Sequence, residues 1–281
     1  MNMPICKCAN DLIVCSMYSK PQLLLKYLQY YFTASNSKGH GMHSPFVYEF
    51  ITRVLNDKNN YPDYKKVERL RKQLLHDSRL FVVEDFGAGG EFLKEHEKSI
   101  NSIARNAAKS KKYGQVLFRM IKYYGPSTIL ELGTSLGITT SYLSMAKPDA
   151  RLITMEGSKK IADVAKQNFK TLELKNVDLI EGNFDNTLST VVCGLSSVDF
   201  AFIDGNHRQG PTERYFKELL AKTNNDSILV FDDIHWSSEM EAAWETIKKD
   251  ASVTCSIDLF FIGIVFFRKE FKEKQHFTIR L

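Results

Sequence analysis

No run in this chain approaches the roughly 20 consecutive apolar residues that a membrane-spanning helix needs. Near the N-terminus, Leu12-Ile13-Val14-Cys15 is too short for the apolar region of a secretory signal, and Lys20-Pro21 breaks the stretch after it. A cytoplasmic location is the default expectation. Cysteine is also scarce. Cys6, Cys8, Cys15, Cys193 and Cys255 are odd in number, which argues against a disulfide framework. Cys6-x-Cys8 with Cys15 is too tightly spaced for a zinc knuckle and lacks a fourth ligand nearby. Internal repeats and low-complexity segments are absent. So is a Cys/His pair at suggestive positions.

Apolar residues make up 43% and charged residues 25% of the 281 positions, enough apolar surface for a globular core. The net charge of +5 is unevenly spread. Residues 1–125 hold 20 Lys and Arg against 11 Asp and Glu, whereas residues 126–281 hold 18 against 22. A basic first part suits an acidic substrate, a nucleic acid or anionic lipid. A solvated helical surface explains the same bias.

The pattern divides the chain in three. Residues 1–16 read as a disordered extension ahead of Met17, an ordinary-looking start. Residues 17–125 read as mainly helical, with helices over 21–32, 45–56, 63–77, 91–108 and 112–124. Ser44 and Pro45 suit an N-cap and a first helical turn. From 126 onward, short apolar runs at 128–132, 151–156, 177–181, 198–204 and 227–232 alternate with helical stretches near 137–147, 158–173, 185–193, 211–222 and 237–250. Such alternation implies a parallel sheet with helices on both faces. The runs 253–259 and 263–268 are too close for a crossover helix and must pair as an antiparallel hairpin.

Two segments read as a strand entering a glycine loop: Phe81 to Gly90, and Ile129-Leu130-Glu131-Leu132-Gly133-Thr134-Ser135-Leu136-Gly137. A nucleoside ribose needs a carboxylate about 20 residues past such a loop, at the end of the next strand. Glu156 lies 19 residues past Gly137 at the end of Arg151–Met155, whereas the same step from Gly90 reaches Lys109 in a basic helical region. The second loop is the better ligand site; the first reads as a packing loop or a turn. The Gly133-x-x-x-Gly137 spacing departs from the Gly-x-Gly-x-x-Gly that seats a pyrophosphate. It suits a ligand without phosphates, such as S-adenosylmethionine.

Residues 127–268 resemble the class I S-adenosylmethionine-dependent methyltransferases, in particular the O-methyltransferase-like branch related to catechol and caffeoyl-CoA methyltransferases. The segments that carry the likeness are Leu130–Gly137, Met155-Glu156, Glu181-Gly182-Asn183-Phe184, Phe202-Ile203-Asp204-Gly205-Asn206-His207 and Val230-Phe231-Asp232-Asp233. The resemblance implies a Rossmann-like α/β fold with a seven-stranded sheet, parallel but for the C-terminal hairpin. It implies a cofactor site of Glu131, Gly133, Thr134, Ser135, Gly137, Glu156, Gly182, Asn183, Phe184 and Asp204. In it, Glu131 and the glycine loop would meet the methionine part, Glu156 the ribose, and Asn183 and Phe184 the adenine. Asn183 stands where the family usually has Asp. A Pro-Pro pair, frequent in methylases of nucleic-acid bases, is replaced by Asp204-Gly205-Asn206-His207, which disfavours base methylation.

Asp204, Asp232 and Asp233 fall at the C-terminal ends of adjacent strands, the edge where open α/β sheets bind ligands. Three converging carboxylates repel one another unless a cation or donor sits between them. In the metal-dependent relatives the matching positions hold a divalent cation, so Asp204, Asp232 and Asp233 are candidate ligands for Mg²⁺ or a similar ion. The alternative has Asp204 closing over the cofactor while Asp232 and Asp233 cap the next helix through Ser237. Asp204, His207 and His235 are candidate catalytic groups, the histidines as general bases or softer ligands. The acceptor expected is a small molecule; a nucleic acid is disfavoured but open, as is a homodimer. A module that binds S-adenosylmethionine without turnover, and a NAD(P)-linked enzyme, are the competing readings. His40 and His43 are candidates for a lid over the site. Trp236, next to His235, reads as a pocket wall or as ordinary packing, whereas Phe216 to Leu220, Phe260, Phe261, Phe266 and Phe267 are expected in the core.

Overall fold

The computed structural model describes residues 17–35, 39, 43–85, 94–106 and 109–281. Cys6, Cys8, Cys15, His40 and the Gly87–Gly90 loop lie outside them. The first part contains helices α1 (Lys20–Thr33), α2 (Pro45–Glu49), α3 (Pro62–Leu75), α4 (Ile100–Asn106) and α5 (Lys111–Tyr124). Between α2 and α3 the expected helix over 45–56 widens into a π-helical turn, Phe50–Leu55. Its last carbonyls lack helical partners. Buried Arg119 of α5 serves them, with Nε donating to Val54 O at 2.5 Å and Nη2 to Leu55 O at 3.4 Å.

The helix expected over 91–108 is corrected. Strands β1 (Leu80–Asp85) and β2 (Lys94–Ser99) form an antiparallel hairpin, and among the described residues of that stretch Ile100–Asn106 alone is helical. Glu and Lys favour helix by intrinsic propensity, but cross-strand pairing overrides so weak a preference. Within the Phe81–Gly90 segment, the described residues Phe81–Asp85 thus belong to a strand of that hairpin.

Beyond residue 126 the expected alternation holds. Strands β3 (Thr128–Leu132), β4 (Arg151–Glu156), β5 (Val177–Glu181), β6 (Phe200–Ile203) and β7 (Ile228–Asp232) are parallel. They alternate with α6 (Ile138–Ala146), α7 (Lys159–Thr171), α8 (Phe184–Cys193), α9 (Gln209–Leu220) and α10 (Ser238–Lys249). The hairpin of β8 (Cys255–Asp258) and β9 (Ile262–Phe266) follows, with β9 antiparallel to β7. An eighth strand, β10 (Gln275–Thr278), adds parallel to β8 and extends the expected seven. The order is β10-β8-β9-β7-β6-β3-β4-β5. Chain order reverses between β3 and β6, and such switch points open a crevice at the strands' C-terminal ends.

Residues along each strand point alternately to the two faces. Ile129, Phe200, Phe202, Ile228 and Val230 face one cluster, built with Phe50, Val67, Ile103, Phe118 and Tyr142 of the helices before and after β3. Leu130, Leu132, Ala201, Ile203, Leu229 and Phe231 face the other, with Leu188, Tyr215, Phe216 and Trp244 of α8, α9 and α10. The first part of the chain therefore shares one hydrophobic cluster with the sheet. No helix among the described residues is long and apolar enough to cross a membrane.

Helix α1 docks at the hairpin end of the sheet. Tyr27 and Tyr30 pack on Phe260, and Tyr30 Oη donates to Ile279 O at 2.5 Å. The helix is also tied by charge. Lys26 Nζ and Tyr18 Oη donate to the Glu241 carboxylate at 2.9 and 2.7 Å. His235 contacts Glu241 through Nδ1 at 2.9 Å and Asp258 through Nε2 at 2.8 Å. Burial alone pushes that imidazole toward neutrality, but the hydrogen bonds to Asp258 and Glu241 outweigh it and hold the ring above its ordinary value. A raised histidine stabilises the fold fully below its unfolded value of about 6.5, and the contribution fades as pH rises through the folded value. We therefore expect His235→Gln to lower Tm most near pH 5.5 and least near pH 9, losing about 1.5–3 kcal/mol at the acidic end. Thermal melts of both proteins across that range test it, and a gap that widens with pH contradicts the assignment.

Candidate functional site

A cavity of about 590 Å³ opens where β3, β4, β6 and β7 end. Its floor is the loop after β3. Gly133 has φ +104°, a conformation that costs glycine little. A Cβ placed there would lie 1.9 Å from the backbone oxygen of Asp204. Two strand ends are thus brought closer than any side chain permits. Gly205, next to Asp204, is constrained in the same way by the Phe184 ring, 2.6 Å from a Cβ built on it. Ser135 (φ +48°) and Asp233 (φ +51°) line the cavity, and Asn206 (φ +61°) and Phe260 (φ +70°) flank residues that do. Left-handed non-glycine residues are strained and gather at functional sites.

The expected cofactor residues separate into those that line the cavity and those behind it. Gly133, Ser135, Glu156, Phe184 and Asp204 line it. The Glu156 carboxylate accepts from the backbone N–H groups of Ser135 at 2.8 Å and Ser158 at 2.9 Å. Burial raises its pKa against those bonds. Glu131 does not line the cavity; it is fully buried one layer behind. Its Oε2 accepts from Thr140 Oγ1 at 2.5 Å and Thr154 Oγ1 at 2.6 Å, and Oε1 has no partner among the described residues. Burial pushes this carboxyl up to about 8, with the two threonine bonds opposing. Thr134 bonds Thr154, Gly137 precedes α6 with φ +78°, Gly182 turns with φ +136°, and Asn183 caps α8 by accepting from Asp185 N at 3.0 Å. These four shape the loops rather than face the cavity.

Of the expected catalytic groups, Asp204 and His207 line the cavity and His235 does not. Both ring nitrogens of His235 are engaged by carboxylates in the α1 dock. His207 Nε2 lies 3.5 Å from Asp204 Oδ1. Burial alone lowers the His207 pKa, and Asp204 reverses this and raises it. Ser237 caps α10 by accepting from Met240 N at 3.2 Å; Asp232 and Asp233 take no part in that cap. His43 is exposed and is not among the cavity residues.

Asp204, Asp232 and Asp233 all reach the cavity, and a cation stands among them. It is Lys109, from the segment preceding α5. Its Nζ lies 2.5 Å from Asp232 Oδ2 and 2.7 Å from Asp233 Oδ1. Burial lowers the lysine pKa, but the coulombic pull of Asp232, Asp233 and Asp204 more than reverses it. Asp232 is 1% exposed and burial pushes its carboxyl well above the usual range, whereas His207 and Lys109 hold Asp204 low. Among the described residues no group of three or more His, Cys, Asp or Glu is set to hold a metal ion, these aspartates included. A divalent ion 2.0–2.6 Å from the same oxygens would coincide with the lysine nitrogen, so the residues present do not fit one.

Other wall residues also lay outside the expected set. Asn106, Ser110 and Tyr113 come from the first part of the chain. Tyr113 Oη donates to Leu259 O at 2.9 Å, and its ring meets Phe261 edge-on at 5.6 Å. Phe261, expected in the core, lines the cavity, as does Trp236. For Asn106, Ser110 and Tyr113 the one sequence signal was the basic excess before residue 125, which singles out none of them, whereas Trp236 was already a pocket-wall candidate.

Residues 130–234 match the family model described as a methyltransferase domain. The chain is 31% identical over 124 residues to a catechol O-methyltransferase of Niastella koreensis, covering 43% of this chain and 55% of that protein. It is 32% identical over 78 residues to a transmembrane O-methyltransferase homolog of Rattus norvegicus, covering 27% of this chain and 30% of that one. It thus spans about half or less of the curated relatives it matches. Among solved structures, an SAH-bound methyltransferase of Podospora anserina superposes with a TM-score of 0.57 at 15% identity, over 80% of this chain and 97% of that one. The fold is shared. Residues 130–234 are thus similar to a methyltransferase domain.

Gly133→Ala tests the loop. The methyl group meets the Asp204 carbonyl and the backbone loses its glycine conformation. The expected cost is about 1–3 kcal/mol of stability, read as a lower midpoint in urea. An unchanged midpoint would refute the close approach.

Proposed function

From this likeness to a methyltransferase domain, we propose an enzyme that transfers the methyl group of S-adenosylmethionine to a hydroxyl oxygen of a small molecule. The observation that carries this reading is one cavity that joins the Gly133–Glu156 cradle to an aromatic compartment beside His207. S-adenosylmethionine, when bound, supplies an electrophilic methyl group on a sulfonium. In this reading Glu156 holds the ribose hydroxyls, Phe184 lies against the adenine, and the Gly133–Ser135 backbone meets the methionine part. Glu131, Thr134, Gly137, Gly182 and Asn183 hold those contacts in place from behind. The glycine cradle fits a ligand that approaches the backbone closely, as Gly133 and Gly205 require.

Tyr113, Phe261 and Trp236 form the acceptor compartment and limit water around the reacting oxygen. His207 accepts the acceptor hydroxyl's proton at Nδ1, while Asp204, facing Nε2, orients the ring and balances the charge it gains. The cavity's volume falls in the range of small-molecule sites, about 300–1,000 Å³. Its lining carries four carboxylates against one lysine, a poor match for a polyanionic acceptor.

Calorimetry with S-adenosylhomocysteine tests the cofactor. The expected result is one site per chain, weakened at least tenfold in Glu156→Ala, in line with roughly 1.5–3 kcal/mol for hydrogen bonds to a charged group. No binding to the wild-type chain would overturn the reading, and NAD⁺ binding in its place would favour the dehydrogenase alternative. A panel of phenols and alcohols, followed by release of S-adenosylhomocysteine, tests turnover. The rate should climb with pH as His207 loses its proton, on a limb above about pH 6.5. His207→Gln should remove that limb and lower kcat roughly 10²–10⁴-fold.

A further inference from the structure

We infer that Lys109 is a built-in cation, occupying the place between Asp232 and Asp233 that a divalent ion would otherwise take, so that this acidic pair has its own counter-charge and the site binds its acceptor without a metal. The inference rests on the methyltransferase reading only for what the acceptor is; the occupancy of the acidic pocket stands on geometry alone. Lys109 Nζ lies 2.5 Å from Asp232 Oδ2 and 2.7 Å from Asp233 Oδ1, and its side chain is 13% exposed. Neither Asp232 oxygen has a well-aligned hydrogen bond of its own among the described residues. That carboxylate depends on the ammonium as its counter-charge.

The positions of the partners are set independently. Asp232 ends β7, in register opposite Ile262 of β9, and Asp233 N donates to Phe261 O at 2.7 Å. On the other side, Lys109 is carried by the residues just before α5, whose Tyr113 is fastened to Leu259 O. The lysine therefore reaches a preformed acidic pocket from a separately anchored helix. An ammonium has three N–H donors. One is spent on Asp233, and the close charge contact with Asp232 leaves at least one directed at an acceptor oxygen. A divalent ion offers several open positions and favours chelating acceptors; a single N–H needs only one oxygen. Lys109 is thus a positioning residue that determines what kind of acceptor the site selects.

Manganese binding tests this on the intact chain, read by the loss of the free Mn²⁺ spectrum in electron paramagnetic resonance with and without S-adenosylhomocysteine. The wild-type chain should show no site tighter than about millimolar. Lys109→Ala empties the pocket and should gain a Mn²⁺ site at least tenfold tighter, lost again in Lys109→Ala with Asp232→Asn. Lys109→Arg keeps the charge and should stay blind to Mn²⁺. Should Lys109→Ala melt early through unpaired buried carboxylates, Mn²⁺ should raise its Tm while leaving the wild-type Tm unchanged. A stoichiometric Mn²⁺ site in the wild-type chain that Asp232→Asn abolishes would overturn the inference, as would a Lys109→Ala chain that gains nothing. Failure of S-adenosylhomocysteine to bind would instead overturn the methyltransferase reading and leave the Mn²⁺ result standing.

Discussion

One ammonium among three carboxylates governs how this molecule is assembled. Asp232 is buried at a strand end beside Asp233 and Asp204, and charges so placed are costly unless paired. Lys109 supplies the pairing from outside the sheet. Removing one partner of such a buried pair costs about 3–5 kcal/mol, a large part of the stability of an ordinary domain. The contact joins the segment before α5 to the acidic strand ends, beside the cavity wall that Tyr113 forms. The acidic edge of the sheet and the basic first part are in this sense one design. The local charge excess noted along the sequence has at least one specific destination.

The remaining geometry follows from close approach of backbones. Gly133 lets the loop after β3 touch the end of β6, and Gly205 lets Phe184 lie over the next loop. Glu156 ties the glycine loop to the end of β4 through two backbone N–H groups. These contacts join adjacent parallel strands at one edge, where the strained residues Ser135 and Asp233 also sit. The result is a pocket whose floor is rigid backbone and whose walls are aromatic.

The role of His235 shows how an element can be placed correctly and its task misjudged. It follows β7, close in sequence to the acidic pair, as a catalytic histidine would. Its ring instead stacks on Phe260 and bridges Glu241 and Asp258, in the network that also takes up Lys26 and Tyr18. A histidine engaged at both nitrogens by carboxylates is a charged clamp, and here it helps hold α1. His207 has one carboxylate neighbour at 3.5 Å and faces the cavity. The difference lies in the partners each ring meets, and those come from segments far apart in the chain.

The sequence by itself determined the order of strands and helices from Thr128 to Phe266, because buried parallel strands demand short apolar runs and their connections demand amphipathic helices. It also pointed to the cavity edge that Gly133 and Glu156 line, since a glycine and a carboxylate at that spacing are local features of the chain. Tertiary structure decided the rest. Lys94–Ser99 became a strand because Leu80–Asp85 offered it a partner, against the helical preference of its Glu and Lys residues. Gln275–Thr278 became the eighth strand because β8 had a free edge. Phe261 left the core for the cavity wall, and Lys109 settled between Asp232 and Asp233, 123 and 124 residues away in the chain. Spacing encodes what neighbours along the chain must do; a charge pair closed across more than a hundred residues is encoded only in the fold that brings its members together.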